Sequence, residues 1–463
     1  MKKTRLYSLL ILGLAMVFVQ PLFAQKSQVK INKVNVRAPF KMPKIKTPDF
    51  SGVRDFVITE YGAVPEDKDK NTLAIEQAIA AATVAGGNVI IPSGEWKTKK
   101  IHLKSNVNLH LSEGAVLLFS PDPQDYLPAV FTTWEGLECY NYSPLIYAFE
   151  ARNVAITGKG TVKADITEWR KWFPRPRPHM ESIKRLYNWA QDRLPVEQRN
   201  MVNDTSNLRP HFIQFNRCEH VLVEDIHIRN SPFWTLHLYL SKNIVVRGID
   251  VYAHGHNSDG VDPEMSQNVL IENCVFDQGD DAIAIKSGRN PEGWRLQTPS
   301  KNIVIRNCLI KDGHQLVAIG SELSGGIENI YVENCKVADD NEKLMHLLFI
   351  KTNERMGGHV KNVYFKNIKA NAIREGILGI DTDVLYQWRT LVPTVVRKLT
   401  PIQAVYLENV KAENAKFLAK INGNADLPVQ NIELKNVSLT KASEERIQTR
   451  HVKGVVVDGQ MID

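Results

Sequence analysis

Three stretches near the middle of the chain repeat one pattern, and that pattern decides the fold. Residues 268–274 read Asn-Val-Leu-Ile-Glu-Asn-Cys, residues 302–308 read Asn-Ile-Val-Ile-Arg-Asn-Cys, and residues 329–335 read Asn-Ile-Tyr-Val-Glu-Asn-Cys. Each begins with Asn, alternates its side chains as a strand does, and ends in Asn-Cys. Repetition of this kind predicts short strands that stack in register from one coil to the next.

The same pattern extends on both sides of these stretches. It recurs at Asn153, Asn243, Asn362 and Asn431, and the first four intervals from Asn243 are 25, 34, 27 and 33 residues. A constant strand core with turns of variable length predicts an all-β fold, a single-stranded right-handed parallel β-helix. An apolar stripe over residues 71–85 predicts a helix that caps the N-terminal end of this β-helix, with Asn71 or Thr72 as its N-cap.

The first residues of the chain are typical of an export signal. Lys2, Lys3 and Arg5 precede an apolar run from Leu9 to Val19, and Ala24 offers a cleavage point. The run is short for a bilayer, although an uncleaved anchor remains the alternative. We therefore predict a signal peptide over residues 1–24, a loose leader over 25–50, a β-helix catalytic domain over 51–463, and a bacterial protein exported to the periplasm or secreted.

Charge and cysteine content limit the partners. The formal charge is +7, but no basic stripe is concentrated in the sequence, so we expect no nucleic-acid partner, and none in the membrane after signal cleavage. An anionic substrate is compatible with this charge.

The repeat places Cys274, Cys308 and Cys335 at equivalent positions, which predicts a buried ladder of thiols; a disulfide or a metal site is the alternative.

The repeat is interrupted between Thr167 and Arg209. This excursion contains Trp169, Trp172 and Arg175 and a helical pattern over residues 180–193. It can wall a substrate cleft with aromatic and basic groups, or it can pack against the flank of the coils; the sequence favours neither.

Three aspartates and a histidine are predicted to converge. Asp280 and His314 both lie twelve residues after their repeat Asn, so they should stack on adjacent coils, and the match of Asp259 with Asp281 brings in two more carboxyls. Neighbouring carboxylates repel, so one should stay protonated near neutral pH, giving an acid and a base side by side. A calcium site or a solvated turn is the alternative, but His is a poor calcium ligand.

These residues carry a resemblance to a known family. Asn257-Ser258-Asp259, the Asp280–Asp281 pair and Gly313-His314 occur in the order and spacing of the polygalacturonase family, glycoside hydrolase family 28, which the chain resembles from about Asp55 onward. The resemblance implies hydrolysis of α-galacturonoside bonds in pectic polysaccharide, with inversion and without a cofactor or metal. An excursion that closed one end of the cleft would favour exo action, and rhamnogalacturonan is a further candidate substrate.

The resemblance also implies roles for the site residues. Asp280 would be the general acid, Asp259 and Asp281 would activate water, and His314 would hold a carboxyl in its protonation state. Lys351 would bind a galacturonate carboxylate.

One family motif departs from its usual form. Phe349 stands where the family has Arg, which puts ordinary homogalacturonan in doubt. Either Arg355 replaces the missing cation, or the leaving-side sugar is uncharged, as rhamnose is. The complete set of predicted substrate-binding residues is Lys351, Asn257, Arg355, Phe349, Trp234 and His237. Trp234 and His237 fall one coil before Asp259 and could equally be core residues.

Two other functions remain to be distinguished. A pectate-type lyase of this architecture would use calcium and a strong base, and it would leave an unsaturated sugar that absorbs ultraviolet light. A non-catalytic carbohydrate-binding β-helix would share the fold but would lack a working acid and base.

Overall fold

The structure is a computed structural model that describes residues 29–203, 206–341, 343–386, 388–392 and 396–462. The predicted signal peptide lies outside these residues. Among the helices described, none is long and apolar enough to cross a membrane.

Residues 29–50 are ordered and packed, which differs from the loose leader expected. Strands β1 (Lys30–Val34) and β2 (Ile45–Asp49) pair antiparallel. Ile45 is fully buried and, with Val36, packs against Val245, Leu270 and Val304 on the outer face of the β-helix. These apolar side chains stand among many Lys and Pro residues in the sequence, and they pack against the outer face of the sheet.

The rest of the chain is a succession of short strands. The first group is β3 (Arg54–Val57), β4 (Gly87–Ile91), β5 (Gly94–Thr98), β6 (Ile101–Leu103), β7 (Val107–Leu111), β8 (Ala115–Phe119), β9 (Val130–Trp134), β10 (Leu137–Asn141), β11 (Ile146–Phe149), β12 (Arg152–Gly158) and β13 (Thr161–Ala164). The central group is β14 (Ile213–Asn216), β15 (Glu219–Glu224), β16 (His227–Arg229), β17 (Leu236–Tyr239), β18 (Lys242–Arg247), β19 (Asp250–Ala253), β20 (Val261–Glu264), β21 (Gln267–Glu272), β22 (Val275–Gln278), β23 (Ile283–Ile285), β24 (Ser300–Arg306), β25 (Leu309–Asp312), β26 (Gln315–Gly320), β27 (Ile327–Glu333) and β28 (Lys336–Val337). The last group is β29 (His346–Lys351), β30 (Val360–Ala372), β31 (Gly376–Asp381), β32 (Ile402–Ala415), β33 (Phe417–Asn422), β34 (Val429–Lys435), β35 (Ser438–Ala442), β36 (Ile447–Arg450), β37 (Val452–Val457) and β38 (Gln460–Met461).

Parallel pairing between successive coils builds two long sheets. One has eleven strands in the order β36-β33-β31-β29-β26-β23-β20-β17-β14-β11-β6, and the other has 23 strands. Val261, Ile283 and Val317 are register partners on three successive coils, and all three are fully buried. Apolar side chains therefore stack along the interior of the coils, which confirms the predicted parallel β-helix.

The helices lie outside these sheets. They are α1 (Lys68–Thr83), α2 (Thr167–Arg170), α3 (Arg177–Gln191), α4 (Asn290–Leu296) and α5 (Trp388–Leu391), with 3-10 turns at Ile58–Tyr61, Pro123–Tyr126 and Val196–Gln198. Helix α1 packs on the first coils as the predicted cap, but it begins earlier, because the Asp67 carboxylate accepts a hydrogen bond from Lys70 N and acts as the N-cap.

The repeat builds two ladders of side chains that stack from coil to coil, one of asparagines and the predicted one of cysteines. Asn302 Nδ2 donates to Asn268 Oδ1 at 3.1 Å, and Asn329 Nδ2 donates to Asn302 Oδ1 at 3.0 Å. These asparagines have positive φ angles near 60°, a conformation that Asn tolerates better than most residues. Cys274, Cys308 and Cys335 are buried, as predicted.

Candidate active site

The repeat brings four catalytic candidates together: Asp259, Asp280, Asp281 and His314. We call these four residues the floor of the site. Asp259 precedes β20, Asp280 and Asp281 precede β23, and His314 precedes β26. His314 Nδ1 lies 3.1 Å from Asp280 Oδ1, and Gly260 N donates to Asp281 O at 3.0 Å. The two stacking relationships expected from the sequence, Asp280 with His314 and Asp259 with Asp281, are therefore present.

A cavity of about 460 Å³ opens above this floor, within the usual range for small-molecule sites. Its lining residues are Glu135, Arg175, Trp234, His256, Asn257, Asp259, Asp280, Asp281, Lys286, Arg289, His314, Gln315, Ser321, Glu322, Met345, His346, Phe349, Lys351, Tyr386 and Trp388. A larger groove of about 800 Å³ lies beside β2 and contains none of the predicted site residues.

The location of the retained proton differs from the sequence expectation. Burial and the neighbouring Asp280 raise the pKa of Asp259 to about 8. Burial would also raise the pKa of Asp280, but its hydrogen bond to His314 and the charge of Lys351 lower it instead. That hydrogen bond also raises the pKa of His314. Asp259 thus holds a proton near neutral pH, and the His314–Asp280 pair holds another.

Lys286 is a functional candidate that the sequence interpretation missed. Its ammonium lies 3.5 Å from Asp259 Oδ2, 3.8 Å from Asp262 Oδ1 and 3.5 Å from Glu322 Oε2. It also lies 4.6 Å from the centroid of the Trp234 ring. Its position directly after β23, on the coil of Asp280, was a signal that could have identified it.

Beyond the floor, the predicted Lys351 and Phe349 lie side by side on β29. Lys351 Nζ donates to Asp281 Oδ2 at 3.0 Å. Phe349 and His346 together form an uncharged surface, which we call the neutral platform. The Phe349 ring stacks on His346 with centroids 4.6 Å apart and planes at 9°, and His346 Nδ1 lies 3.0 Å from Gln315 Oε1. Burial lowers the pKa of His346 to about 3, so this imidazole carries no charge.

The other predicted substrate-binding residues divide into two groups. Asn257 and Trp234 line the cavity. His237 does not, because it is fully buried between Gln214 and Glu264. Arg355 is also buried away from the cavity, where its Nη1 donates to the carbonyls of Trp388 and Val392 at 3.2 and 2.6 Å.

The excursion both walls the cavity and packs on the coils. Arg175 lines the cavity, and its Nε donates to His256 Nε2 at 2.6 Å. Trp169 is instead buried against Tyr126. Part of the excursion therefore lines the cavity, and another part packs on the coils.

The hairpin of β9 and β10 supplies another wall that the sequence did not indicate. Its tip, Glu135–Gly136, meets Arg289 on the coil that carries Asp280. Arg289 Nε donates to Glu135 O at 2.9 Å, and Arg289 N donates to Gly136 O at 3.1 Å. Glu322, whose carboxylate also pairs with Arg289, completes this wall.

The floor has enough donor atoms in one place to hold a cation. A carboxylate oxygen of Asp280, a carboxylate oxygen of Asp281 and a ring nitrogen of His314 lie within 4.8 Å of one another. The same closeness also suits proton sharing, which the shifted pKa values of Asp280 and His314 reflect.

Comparison with known proteins agrees with this geometry. The sequence model described as glycosyl hydrolases family 28 matches residues 196–457, a span that contains all the floor residues. The chain belongs to glycosyl hydrolases family 28. The resemblance inferred from the motifs is thereby confirmed.

Similar proteins include several from this family. A hyperthermoactive exopolygalacturonase from Thermotoga maritima is similar in structure, with a TM-score of 0.80 and 33% identity over 90% of this chain and 94% of that one. A probable polygalacturonase from Vitis vinifera is 26% identical over 84% of this chain and 75% of its own length. An exo-poly-α-D-galacturonosidase from Dickeya chrysanthemi is 27% identical, covering 67% of this chain and 54% of its own.

Proposed function

We propose that this family 28 glycoside hydrolase cleaves α-galacturonoside bonds at the ends of pectic chains and releases galacturonate. The observation that carries the proposal is the floor of Asp259, Asp280, Asp281 and His314 inside one cavity, in a fold shared with an exopolygalacturonase. The excursion and the β9–β10 hairpin restrict the cavity, which supports exo action. The terminal export pattern supports a periplasmic or secreted enzyme.

In this proposal the His314–Asp280 pair is the proton donor. Among the three aspartates, Asp280 has the most exposed side chain, at 17%, against 4% for Asp259 and 2% for Asp281. It can therefore reach a glycosidic oxygen, and His314 holds the proton that the pair delivers. This arrangement keeps Asp280 as the general acid although its own pKa is lowered in the free protein.

Asp281 and Asp259 hold the attacking water. Oδ1 of each carboxyl is buried and has no hydrogen-bond partner among the described residues. Lys351 Nζ pairs with Asp281 Oδ2 at 3.0 Å and holds this carboxyl in place. Protonated Asp259 can donate to the same water, so it assists as a donor where the sequence interpretation made it a second base.

The stereochemical outcome is a separate part of the proposal. Inverting enzymes ordinarily separate their two carboxyl groups by roughly 6.5–9.5 Å, and retaining enzymes by about 5 Å. Ligand atoms of Asp280 and Asp281 lie within 4.8 Å, so this pair alone has the spacing of a retaining enzyme. We propose inversion because the third carboxyl, Asp259, lets the water bind beside Asp281 rather than between Asp281 and Asp280.

The leaving-side sugar is proposed to be uncharged. Phe349 and His346 offer it an apolar, neutral surface, and the fixed contacts of Arg355 prevent that residue from replacing the motif Arg. Lys351 has two further N–H groups besides the one given to Asp281, so it can bind the carboxylate of the galacturonate being released. A galacturonate–rhamnose bond fits both requirements.

Defined oligosaccharides test the proposal. The purified protein is incubated with oligogalacturonates and with rhamnogalacturonan oligosaccharides, and the products are separated over time. Galacturonate released from the first minutes, without ultraviolet absorbance, is the expected result; an absorbing product would establish a lyase. Proton NMR of the first product should show the β-anomer, whereas the α-anomer would overturn inversion. Binding with no sugar release would favour the carbohydrate-binding alternative.

A further inference from the structure

The tip of the β9–β10 hairpin places a carboxylate in the cavity wall. Glu135 lines the cavity although its side chain is only 9% exposed. Its Oε2 lies 3.3 Å from Arg289 Nη2. Oε1 receives no hydrogen bond from the residues that the structure describes, which leaves an acceptor available in a nearly closed space.

The hairpin is held so that this carboxylate has a fixed position. Arg289 bonds the backbone carbonyls of both Glu135 and Gly136. A Cβ on Gly136 would lie 2.7 Å from Arg289 N, so only glycine permits this approach. At the base of the tip, Trp134 stacks on Phe233 with centroids 5.1 Å apart and planes at 15°.

The backbone at Glu135 is also unusual. Its φ angle is +43°, in the left-handed region that non-glycine residues other than Asn and Asp rarely adopt. Backbone outliers of this kind cluster at functional sites, where the surrounding structure holds them in place. Glycine or asparagine would adopt this conformation more readily. At this position it is a glutamate, and its carboxylate points at the cavity.

A continuous series of charges links Glu135 to the floor. Lys286 lies 3.5 Å from both Asp259 and Glu322, and Arg289 pairs with both Glu322 and Glu135. Glu135 therefore belongs to the same charged wall that contacts Asp259 on the floor. The neutral platform of Phe349 and His346, proposed for the leaving sugar, is a different part of the cavity.

We propose that Glu135 is a specificity-determining residue that accepts a hydrogen bond from the free O4 hydroxyl of the terminal galacturonate. In a 1,4-linked chain only the sugar at the non-reducing end has a proton on O4, because every interior O4 is a glycosidic oxygen. A fixed acceptor therefore distinguishes a chain end from a chain interior by chemistry, in addition to the space that the hairpin occupies. This inference rests on the proposed exo function and adds the feature of the substrate that is recognised.

Paired substrates and variants test it. Trigalacturonate is compared with the same trisaccharide carrying hydrogen in place of the hydroxyl at C4 of its terminal sugar. For the unmodified enzyme, kcat/KM should fall about 10- to 100-fold on the deoxy substrate, as loss of a hydrogen bond to a charged group implies. In Glu135→Ala the two substrates should become nearly equal, because the good substrate loses its partner while the deoxy substrate loses little. In Glu135→Gln the amide oxygen still accepts but carries no charge, so the difference between the substrates should shrink without vanishing.

The controls separate recognition from damage to the fold. The backbone carbonyls of 135 and 136 still bind Arg289 in both variants, so the hairpin should stay docked. Glu168→Gln removes a carboxylate of the excursion that pairs with Lys171 and does not line the cavity, and this variant should keep the full discrimination. If Glu135→Ala still discriminates as the unmodified enzyme does, or if the unmodified enzyme does not discriminate, the inference is wrong. If the unmodified enzyme releases galacturonate neither from trigalacturonate nor from a rhamnogalacturonan oligosaccharide that ends in galacturonate, the proposed function itself fails.

Discussion

The two sides of the cavity differ in charge. One side is a network of buried ions, in which Lys286 and Arg289 meet Glu135 and Glu322. The other is a neutral stack of Phe349 on His346. Charged and hydrogen-bonding groups specify the position and identity of polar atoms, whereas an aromatic face accepts any apolar surface of suitable shape. This contrast indicates strict recognition of the terminal galacturonate and a more tolerant contact with the sugar that leaves.

The floor between these two sides should be the most sensitive to substitution. Asp280→Asn removes the residue that passes the proton to the glycosidic oxygen while keeping its shape. General acid–base groups typically contribute about 10²- to 10⁴-fold, so kcat on an oligogalacturonate should fall by that amount with the melting temperature little changed. Asp277→Asn on the same coil is the control, since Asp277 pairs with His254 outside the cavity. A loss well below 100-fold would show that Asp280 is not the acid.

Lys351 lies at the boundary between the two sides, so its removal tests both at once. Lys351→Ala takes a partner from Asp281 and a cation from the bound galacturonate. A charge-assisted contact is worth about 1.5–3 kcal/mol, which predicts a fall in kcat/KM of roughly 10- to 100-fold, shared between kcat and KM. Lys420→Ala, two coils away over the Phe417 ring, should leave both constants unchanged. An unchanged KM with reduced kcat would assign Lys351 to the base alone.

The alkaline limb of the pH–rate profile should report on His314. Its hydrogen bond to Asp280 raises the pKa of His314, so the proton shared by the pair is fully present below the ordinary histidine value and is lost as pH rises through the raised value. Activity should fall over that window. In His314→Gln the remaining proton depends on Asp280 alone, and the limb should move to lower pH. A limb that does not move would mean that another group, such as Asp259, supplies the proton.

The floor was predictable from the sequence because each coil contributes one position to it. Counting from the repeat Asn aligns Asp280 with His314, and the strands keep that register. The walls were not predictable in this way. Glu135 and Arg289 are 154 residues apart and belong to no repeat, so only the folded chain brings them together.

Two of the predicted substrate-binding residues lie away from the cavity, and the reasons are physical. His237 lies on the strand before Asp259, but Gln214 and Glu264 hydrogen-bond both of its ring nitrogens and its side chain is fully buried. Arg355 follows the family motif closely in sequence, but its side chain is buried. Its guanidinium donates to backbone carbonyls of residues 388–392 and does not face the cavity. In both cases the position near a motif predicted the right coil but not the direction in which the side chain points.

The smallest expected effect concerns Phe349, and it tests the contrast most directly. Phe349→Arg would put a cation into the neutral side and break the stack on His346. Preference should shift from a rhamnose-containing oligosaccharide toward an oligogalacturonate of equal length, whose leaving sugar carries a carboxylate. Phe349 is only half-buried, and Lys351 Nζ lies 6.0 Å from its ring centroid and would repel the new charge. We therefore expect a change in the ratio of kcat/KM values of at most about 1 kcal/mol, or roughly fivefold.

Phe349→Leu, which is apolar and uncharged, should lose activity on both substrates without changing their ratio. If the unmodified enzyme already cleaves oligogalacturonate as fast as the rhamnose-containing substrate, the neutral side does not select the leaving sugar, and specificity rests on the charged side alone.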